Sequence, residues 1–497
     1  MPVPGKQWWR GAAIYQIYPR SFQDSNNDGV GDLRGAIRRL PYVASLGVQA
    51  IWIAPFFRSP MADMGYDVSD YCAVDPLFGT LADFDELLMA AHDLGLKVIV
   101  DHVLSHTSDR HRWFVESRGS RVNDRADWYV WADPKPDGTA PNNWLSVFGG
   151  PAWEWDSTRR QYYMHNFLAS QPDLNFHNPA VQDAVLGCAR FWLERGVDGF
   201  RLDAVNFSFH DRRLRNNPAL KAGAANDIPE TNPYGLQNHV YDKTRPETIQ
   251  FLKRYRKLLE EFEGRVSLGE VGDGPRSLKT AGKYTSGRDK LHMCYTFDLL
   301  GEEFTPARFA AVIRSFENAA PGGWPCWAFS NHDVVRHATR WGEPAAAMAM
   351  MLLVSLRGAV CLYQGEELGL TEANLRFEDL RDPYGIRFWP AFKGRDGCRT
   401  PMVWEAAAPN GGFSDAPPWL PVPAEHLRRA VDTVPAMLEI YRGALRFRRE
   451  HAALQYGSIR ITEVSDTVLA FVRETNEERM ECRFTMGEPY GFVFRSY

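Results

Sequence analysis

"LADFDELLMAAHDLGLKVIVDHVLSH", residues 81–106, is the stretch that decides the fold. Its first part, 81–95, repeats apolar residues at helical spacing and predicts an amphipathic helix. The next part, 96–103, is a short apolar run that predicts a buried strand, and it ends among the polar side chains of Asp101 and His106. A helix followed at once by a buried strand is the repeating unit of a parallel α/β sheet.

The same alternation extends along most of the chain. Strand candidates begin near residues 14, 50, 98, 198, 266, 293, 326 and 360. Eight such strands with intervening helices predict a (β/α)₈ barrel. A doubly wound open sheet is the alternative, but it would usually carry a Gly-rich phosphate-binding turn after its first strand. Here that position holds "RSFQDSNNDGVGD" (20–32), so the barrel is favoured.

Two segments break the alternation and indicate further units. Residues 107–177 are rich in Trp, Asn, Pro and Gly and poor in helical periodicity. After residue 450 the period shortens, and "SIRITEVSDTVLAFVRET" (458–475) predicts small antiparallel strands. We therefore expect a barrel formed by 1–106 and 178–450, interrupted by 107–177 and followed by a short, reduced β domain at 451–497.

Composition and charge exclude several classes of partner. The net charge is −5 and the isoelectric point is about 6.3, which gives no general attraction to nucleic acid or anionic membrane. No apolar stretch approaches the length of a membrane helix, and the N-terminus lacks the pattern of a secretory signal. The seven cysteines are scattered without paired spacing, which favours reduced thiols. We expect a cytoplasmic monomer or homodimer.

Polar side chains stand at the predicted strand ends, where barrel enzymes carry their reactive groups. A single carboxylate there has an ordinary explanation, such as a helix cap or a surface ion pair. The whole set is larger: Asp101, His106, Arg201, Asp203, Glu270, Asn331, His332 and Asp333. Two carboxylates near a scissile bond are what glycoside hydrolysis requires, one to support the sugar cation and one to protonate the leaving oxygen. The strand ends therefore predict this chemistry.

Arg201 lies two residues before Asp203. Alternation along the strand puts both side chains on one side of it. A guanidinium in that position is expected to keep Asp203 ionised, as a nucleophile requires.

Four segments of this chain together resemble the signature segments of the α-amylase family of glycoside hydrolases. They are "DHVLSH" (101–106), "GFRLDAVN" (199–206), "SLGEV" (267–271) and "FSNHD" (329–333), with "GVQAIWIAP" (47–55) and "QPDLN" (171–175) similar to accessory segments. The resemblance is strongest to bacterial α-glucosidases and oligo-1,6-glucosidases, including relatives that transfer α-glucosyl groups. It implies Asp203 as nucleophile, Glu270 as general acid/base and Asp333 as transition-state stabiliser, with retained configuration. It also implies that 107–177 is an inserted B domain.

The resemblance also implies a pocket for the terminal glucose. Its binding residues would be Asp63, Tyr66, His106, Phe148, Phe167, Arg201, Ala204, His332, Arg395 and Arg399. Phe148 and Phe167 would form aromatic walls, although an ordinary core position is the competing interpretation for both. Two residues depart from the family pattern: Ser105 replaces the usual Asn, and His102 replaces an apolar residue. Neither departure removes a catalytic carboxylate.

"DSNNDGVGD" (24–32) looks like the front half of a calcium loop, with Gly29 at the sixth position. Its twelfth position is Gly35 rather than the bidentate Glu of an EF-hand, which disfavours a calcium sensor. The α-amylase resemblance implies a structural cation here, and oxygen ligands indicate Ca²⁺ or Mg²⁺. A plain polar turn is the alternative, and no organic cofactor is expected. The implied ligands are Asp24, Asn26, Asp28, the Val30 carbonyl and Asp32.

The substrate linkage is predicted from the residue after the implied nucleophile. Relatives acting on α-1,6 bonds usually have Val there, whereas Ala204 favours α-1,4 bonds such as that of maltose. A polar insertion, 207–240, could cover the pocket and restrict it to short substrates. We expect a retaining α-glucosidase that also transfers glucosyl groups to hydroxyl acceptors. Oligo-1,6-glucosidase, sucrose isomerase and trehalose synthase remain alternatives, and a non-catalytic amylase-like subunit is disfavoured by the intact carboxylates.

Overall fold

Eight parallel strands form a barrel in the computed structural model, which describes residues 7–221 and 228–497. Residues 1–6 of the predicted barrel and 222–227 of the predicted insertion lie outside the described residues. The strands are β1 (Ala13–Ile17), β2 (Ala50–Ile53), β3 (Lys97–Val103), β4 (Gly199–Asp203), β5 (Val266–Val271), β6 (Met293–Thr296), β7 (Cys326–Ala328) and β8 (Ala359–Tyr363). The barrel prediction is confirmed, with a strand at each expected position.

The strands follow chain order around the sheet, β6-β5-β4-β3-β2-β1-β8-β7. Between β6 and β7 the sheet is closed only by a parallel bridge from Cys294 to Pro325, so the barrel is nearly complete. The lumen below the strand ends is filled by apolar side chains, among them Ile14, Trp52, Leu268 and Met293. Polar groups at the C-terminal ends of the strands therefore stand on a water-excluding floor.

Eight helices alternate with the barrel strands and cover the outside. They are α1 (Leu33–Leu46), α2 (Leu81–Asp93), α3 (Pro179–Glu194), α4 (Thr248–Glu260), α5 (Ser277–Thr285), α6 (Pro306–Ala319), α7 (Glu343–Ser355) and α8 (Ala436–Glu450). Their starts are encoded locally. Asp32 caps α1 by accepting from Gly35 N, and Thr80 and Asp83 form a reciprocal capping box at the start of α2.

Shorter elements lie in the loops at the top of the barrel. An antiparallel pair, Phe57–Arg58 with Asp70–Val74, follows β2. The segment after β3 holds the helix Arg112–Gly119 and a three-stranded sheet of Trp131–Ala132, Trp153–Asp156 and Gln161–Met164. Short helices lie at His337–Arg340, Pro383–Phe388 and Ala424–Leu427.

A four-stranded antiparallel sheet follows the barrel, as predicted. After the short helix Ala452–Tyr456 come β9 (Ser458–Val464), β10 (Val468–Glu474), β11 (Arg479–Thr485) and β12 (Gly491–Ser496). Leu469 and Phe471 on the middle strand β10 are fully buried, whereas most of β9 and β12 is exposed.

Two buried arginines join this sheet, α8 and the base of the barrel. Arg448 on α8 donates to the carbonyls of Gly11, Val354 and Gly358, and burial lowers its pKa to about 10. Arg473 on β10 donates to the carbonyls of Ser355, Gly457 and Ser458. Within the described residues neither guanidinium has a carboxylate partner. Backbone carbonyls from several segments therefore converge on these two side chains.

Replacing Arg448 with Met should destabilise the protein without touching the pocket. Three buried carbonyls would lose their donor, and each unsatisfied group costs about 1–3 kcal/mol. We expect the free energy of unfolding to fall by at least about 3 kcal/mol, measured by chemical denaturation. Arg446→Met on the exposed face of the same helix is the matched control. Equal stability of the two variants would show that the hydrogen bonds from Arg448 to these carbonyls do not stabilise the protein.

Candidate active site

The register of the barrel brings the predicted polar residues together. Asp101 on β3 pairs with Arg201 on β4, and Val103 pairs with Asp203. On the other side of β4, Leu268 on β5 pairs with Arg201, and Glu270 lies opposite Tyr295 on β6. The alternation that the sequence predicted therefore points Asp101, Arg201, Asp203 and Glu270 into one space at the top of the barrel.

Arg201 is the common partner of three carboxylates and is fully buried. Its Nη1 lies 2.9 Å from Asp101 Oδ1 and 2.5 Å from Asp203 Oδ1. Its Nη2 lies 2.6 Å from Glu270 Oε1. One guanidinium thus holds Asp203 and Glu270 with its two terminal nitrogens, which places these two carboxylates side by side.

The expectation that Arg201 alone keeps Asp203 ionised was incomplete. Burial raises the pKa of Asp203 well above its ordinary value, and the neighbouring charges of Glu270 and Asp101 raise it further against the effect of Arg201. Burial likewise raises the pKa of Asp101 to about 6. Burial is the main cause of both rises, and the single positive charge of Arg201, shared among three acids, does not offset it.

Glu270 is held by two hydrogen-bond donors that were not predicted from the sequence, one a side chain and one a backbone amide. The Tyr295 hydroxyl donates to Oε1 over 2.7 Å, and the amide of Ala204 donates to Oε2 over 3.0 Å. Ala204 adopts a left-handed conformation with φ 40° and ψ 43°, which is uncommon for a residue other than glycine. This turn directly after β4 aims the amide at Glu270. No local pattern pointed to Tyr295, since it lies in an ordinary apolar strand, "LHMCYTF" (291–297).

Asp333 has the opposite electrostatic surroundings. Arg395 and Arg399 both contact its Oδ1, at 3.2 and 3.0 Å, and His332 Nε2 lies 3.3 Å from its Oδ2. Burial alone would raise its pKa, but His332 in its protonated form and the two arginines hold the pKa of Asp333 well below its usual range. This carboxylate is therefore a permanent negative charge.

Arg395 connects Asp333 to the predicted Asp63 and to Asp382, a residue that the sequence analysis missed. Its Nη2 lies 2.8 Å from an oxygen of each of Asp63 and Asp382. Burial raises the pKa of Asp63, whereas for Asp382 the nearby Arg395 outweighs burial and lowers the pKa to about 2. Asp382 anchors the arginine, and Asp63 faces the pocket on its other side.

His332 and Tyr66 form a relay of hydrogen bonds to Asp101. Gln16 Nε2 lies 2.7 Å from His332 Nδ1, and His332 Nε2 lies 2.6 Å from the Tyr66 hydroxyl. That hydroxyl in turn donates to Asp101 Oδ2 over 3.1 Å. Burial lowers the pKa of His332 to about 3, so its ring is neutral. Gln16, a polar residue within an apolar strand, is a signal that the sequence analysis passed over.

The predicted aromatic walls lie beside these groups. Phe167 packs on the His106 ring, with centroids 5.1 Å apart, and Phe148 contacts Phe167 and the Arg395 guanidinium. His106 contacts the Tyr66 carbonyl and the Ser105 hydroxyl. Ser105, the first departure from the family pattern, therefore helps to orient the His106 ring. Asp203, Glu270 and Asp333 keep 11%, 8% and 20% of their side-chain surface exposed, so all three are largely buried but still reach solvent.

His102, the second departure, lies outside the site. It points away from Asp101, packs beside Phe200 and contacts the Tyr255 hydroxyl over 3.0 Å. Burial lowers its pKa to about 3, so it serves as a neutral core residue.

The loop at 24–32 forms a series of side-chain turns away from the carboxylates. Asp24 accepts from the amides of Asn26 and Gly29, Asn26 accepts from Asp28, and Asp28 accepts from Val30. Gly29 is required because its φ is +88° and a Cβ would lie 2.2 Å from the Pro417 carbonyl. The side-chain oxygens of this loop suit a hard cation as ligands. Each carboxylate oxygen that accepts a hydrogen bond from a backbone amide still has a lone pair for the cation.

Carboxylates alone do not form such a cation site. Across 7–221 and 228–497, no three His, Cys, Asp or Glu side chains are grouped to hold a metal ion. Ligation would need the Asn26 amide oxygen and the Val30 carbonyl in addition to the acids. Asp32 is already engaged as the N-cap of α1 and accepts from Ser25 N.

Comparison with known families decides the affiliation. A model of the α-amylase catalytic domain matches residues 16–457. The chain belongs to the α-amylase family. The resemblance inferred from the four segments is therefore confirmed.

Individual relatives extend the comparison. A probable α-glucosidase of Rhizobium meliloti (strain 1021) is 61% identical, over 98% of this chain and 90% of its own length. An oligo-1,6-glucosidase of Heyndrickxia coagulans is 35% identical, over 95% and 91%. The crystal structure of an α-glucosyl transfer enzyme, XgtA, superposes with a TM-score of 0.94 at 57% identity, over 96% of this chain and 91% of that one. Within the described ranges of this chain, no helix is long and apolar enough to cross a membrane.

Replacing Asp101 with Asn should move the acidic limb of the activity profile to lower pH. The negative charge of Asp101 raises the pKa of Asp203, so its removal lowers that pKa and keeps the nucleophile ionised in more acidic solution. The measurement is kcat/KM for an aryl α-glucoside between about pH 4 and 8.

Asp198→Asn is the matched control for this shift. Asp198 is equally buried and lies directly before β4, at the opposite end of the barrel from the strand-end carboxylates, paired with His92, Lys97 and Arg265. Its acidic limb should coincide with that of the wild type. A shift to higher pH in Asp101→Asn would contradict the shared-cation account.

Proposed function

We propose that this enzyme is a retaining α-glucosidase that cleaves terminal α-glucosidic bonds of short oligosaccharides. The observation that carries the proposal is the shared guanidinium: Arg201 holds Asp203 Oδ1 and Glu270 Oε1 at 2.5 and 2.6 Å. Retaining glycosidases keep their two carboxyl groups only about 5–5.5 Å apart, and adjacent nitrogens of one guanidinium enforce such closeness. The relatives named as α-glucosidases and the glucosyl transfer enzyme support it.

The first step forms a glucosyl–enzyme bond. Asp203 Oδ1 is held by Arg201, and Oδ2 has no hydrogen-bond partner among the described residues, so Oδ2 attacks C1 of the terminal glucose. Glu270 gives its proton to the glycosidic oxygen, which leaves with the aglycone. The bond from C1 to Oδ2 replaces the glycosidic bond.

The second step returns the enzyme to its starting state. Water, or the hydroxyl of a sugar or alcohol, attacks C1 and gives its proton to Glu270 while the bond to Asp203 breaks. Water yields glucose and a hydroxyl acceptor yields a new α-glucoside, so hydrolysis and transfer share one intermediate. The configuration at C1 is inverted twice and therefore retained.

The remaining groups would orient the glucose and stabilise the positive charge that develops on it. Asp333, whose pKa is held low, supplies a fixed negative charge. Asp63 and Arg395, joined at 2.8 Å, present complementary polar groups for sugar hydroxyls, and Tyr66 offers an aromatic face. His106 and His332 are both neutral and would form hydrogen bonds with other sugar hydroxyls. Phe148 and Phe167 would exclude water beside them.

The insertion at 207–240 supports a preference for short substrates. Its described part is bonded to the inserted segment: Asn217 N donates to Asn143 Oδ1, and Asn143 Nδ2 donates back to the Asn217 carbonyl. Asn232 Nδ2 donates to the Val147 carbonyl and to the Tyr384 hydroxyl. We propose that the described part of the insertion, held by these bonds, covers the aglycone side, where a long chain would need to extend.

The linkage preference follows from the small side chain of Ala204. Its amide is fixed to Glu270, so the methyl group flanks the space that the aglycone must occupy. A small residue leaves room for the angle of an α-1,4 bond. We therefore propose maltose as a better substrate than isomaltose.

Incubation with maltose, isomaltose, sucrose and maltotriose, each with and without a small alcohol, tests the proposal by product chromatography. We expect glucose from maltose, little from isomaltose, and an alkyl α-glucoside when the alcohol is present. Asp203→Asn should lower kcat by at least about a thousandfold while the melting temperature stays close to that of the wild type. Isomaltulose from sucrose would indicate an isomerase, and no turnover of any α-glucoside would end the proposal.

Ala204→Val should raise the ratio of isomaltose to maltose kcat/KM, by about tenfold. The ratio is the correct readout because a β-branched residue is strained at positive φ and will lower the amount of folded enzyme for both substrates alike. Ala184→Val on α3 provides a control distant from the strand ends. An unchanged ratio in Ala204→Val would remove this residue from the specificity argument.

We also propose that the 24–32 loop binds a structural Ca²⁺, with Mg²⁺ as a weaker substitute. Bound cation would stabilise the start of α1, since Asp32 caps that helix. Adding millimolar Ca²⁺ to chelator-treated protein should raise the melting temperature by about 2 °C or more. The rise should disappear in Asp28→Ala but persist in Asp137→Ala, which alters another exposed loop. A melting temperature that does not change with Ca²⁺ would contradict the cation site and favour a plain polar turn.

A reducing, cytoplasmic location suits the cysteines of this chain. All seven are free thiols, and six of them are buried. The predictions of a monomer or homodimer, and of no nucleic-acid or membrane partner, stay predictions; the net charge of −5 supports the last two.

A further inference from the structure

A single hydroxyl lies between the central guanidinium and the proposed acid. Tyr295 Oη accepts from Arg201 Nη2 over 2.7 Å and donates to Glu270 Oε1 over 2.7 Å. The register fixes this contact, because Tyr295 lies directly beside Glu270 in the β5–β6 pair. Tyr295 is 3% exposed, so no water competes for either bond.

The direction of these bonds is settled by chemistry. A guanidinium can only donate, so the Tyr295 oxygen accepts from Arg201 and its one proton is free for Glu270. Burial raises the pKa of Tyr295 well above its ordinary value, so the hydroxyl keeps that proton at any working pH.

The two oxygens of Glu270 are consequently unequal. Oε1 accepts a hydrogen bond from Tyr295 Oη and forms an ion pair with Arg201 Nη2 at 2.6 Å. Oε2 has only the weaker amide donor of Ala204, at 3.0 Å. A proton on Oε1 would collide with the hydroxyl hydrogen of Tyr295 and weaken the ion pair with Arg201, whereas a proton on Oε2 leaves both contacts intact.

We propose that Tyr295 is a positioning residue, which holds Oε1 of Glu270 as an acceptor and so reserves Oε2 for the proton that is given to the glycosidic oxygen. It touches neither substrate nor the reacting bond and acts only through Glu270. The inference rests on the proposed glucosidase function. It adds a residue from β6, a strand that carries none of the residues named in the sequence analysis.

The test deletes one oxygen atom with Tyr295→Phe. A general acid contributes about 10²–10⁴ in rate, and an acid with an unfixed proton should lose part of this, about tenfold in kcat/KM for maltose. Activity on 4-nitrophenyl α-glucoside should stay within about threefold, because that leaving group needs little protonation. The basic limb for maltose should move to higher pH, since the Glu270 anion loses a donor.

Tyr15→Phe is the matched control. Tyr15 is a fully buried barrel tyrosine on β1 whose hydroxyl donates to Glu367 Oε1 over 2.8 Å, away from the proposed acid. This variant loses the same atom and should be destabilised, but its ratio of maltose to aryl-glucoside activity and its basic limb should match the wild type. Equal losses on both substrates in Tyr295→Phe, or an unmoved basic limb, would overturn the positioning role.

A double-variant cycle keeps the inference falsifiable if Tyr295→Phe folds poorly. With phenyl α-glucoside, Tyr295→Phe should cost about fivefold in the wild type but less than about twofold in Glu270→Gln, where no acid is left to position. A loss through folding or packing would be the same factor in both backgrounds, and that result would overturn the inference. Failure of the wild type to release glucose from any α-glucoside is a separate result, which would refute the proposed function instead.

Discussion

The site depends on one buried cation that must satisfy three acids. A guanidinium at the top of the barrel is tolerated only because carboxylates surround it, and those carboxylates are tolerated only because it is there. The register of β3, β4 and β5 forces this meeting, since Asp101, Arg201 and Glu270 lie on adjacent strands. The pairing of the barrel strands therefore determines that the single positive charge of Arg201 is shared by three carboxylates.

Two electrostatic environments lie side by side in the pocket. Around Arg201 acids outnumber cations, and burial raises the pKa of Asp203 and Asp101. Asp333, in contrast, is contacted by two arginines at once, and its pKa is lowered. Such a separation assigns different tasks to chemically identical side chains. In the proposed mechanism Asp203 exchanges its charge for a covalent bond, whereas Asp333 keeps its charge throughout.

Much of this could be predicted from the sequence, because the relevant signals are local. Apolar runs and strand-end polar residues located all eight strands and brought Asp203, Glu270 and Asp333 to one face. What escaped prediction depends on contacts distant in the chain. Tyr295 and Asp382 look ordinary in their own segments, and only the register or a loop contact gives them a partner. The raised pKa of Asp203 was not predicted either. Alternation along β4 identifies Arg201 as its neighbour, but not Asp101 and Glu270 on the adjacent strands, which share that arginine.

The arginines at the base of the barrel have a consequence for how the molecule comes apart. Arg448 and Arg473 take their acceptors from the first residues of the barrel, from the end of α7 and from the C-terminal segment at once. Arg473 joins the final sheet to the barrel, because it donates to the Ser355 carbonyl at the end of α7 and to the Gly457 and Ser458 carbonyls before and in β9. Separating the sheet from the barrel would leave buried hydrogen-bonding groups without partners on both sides, so the two parts are expected to unfold as one cooperative unit.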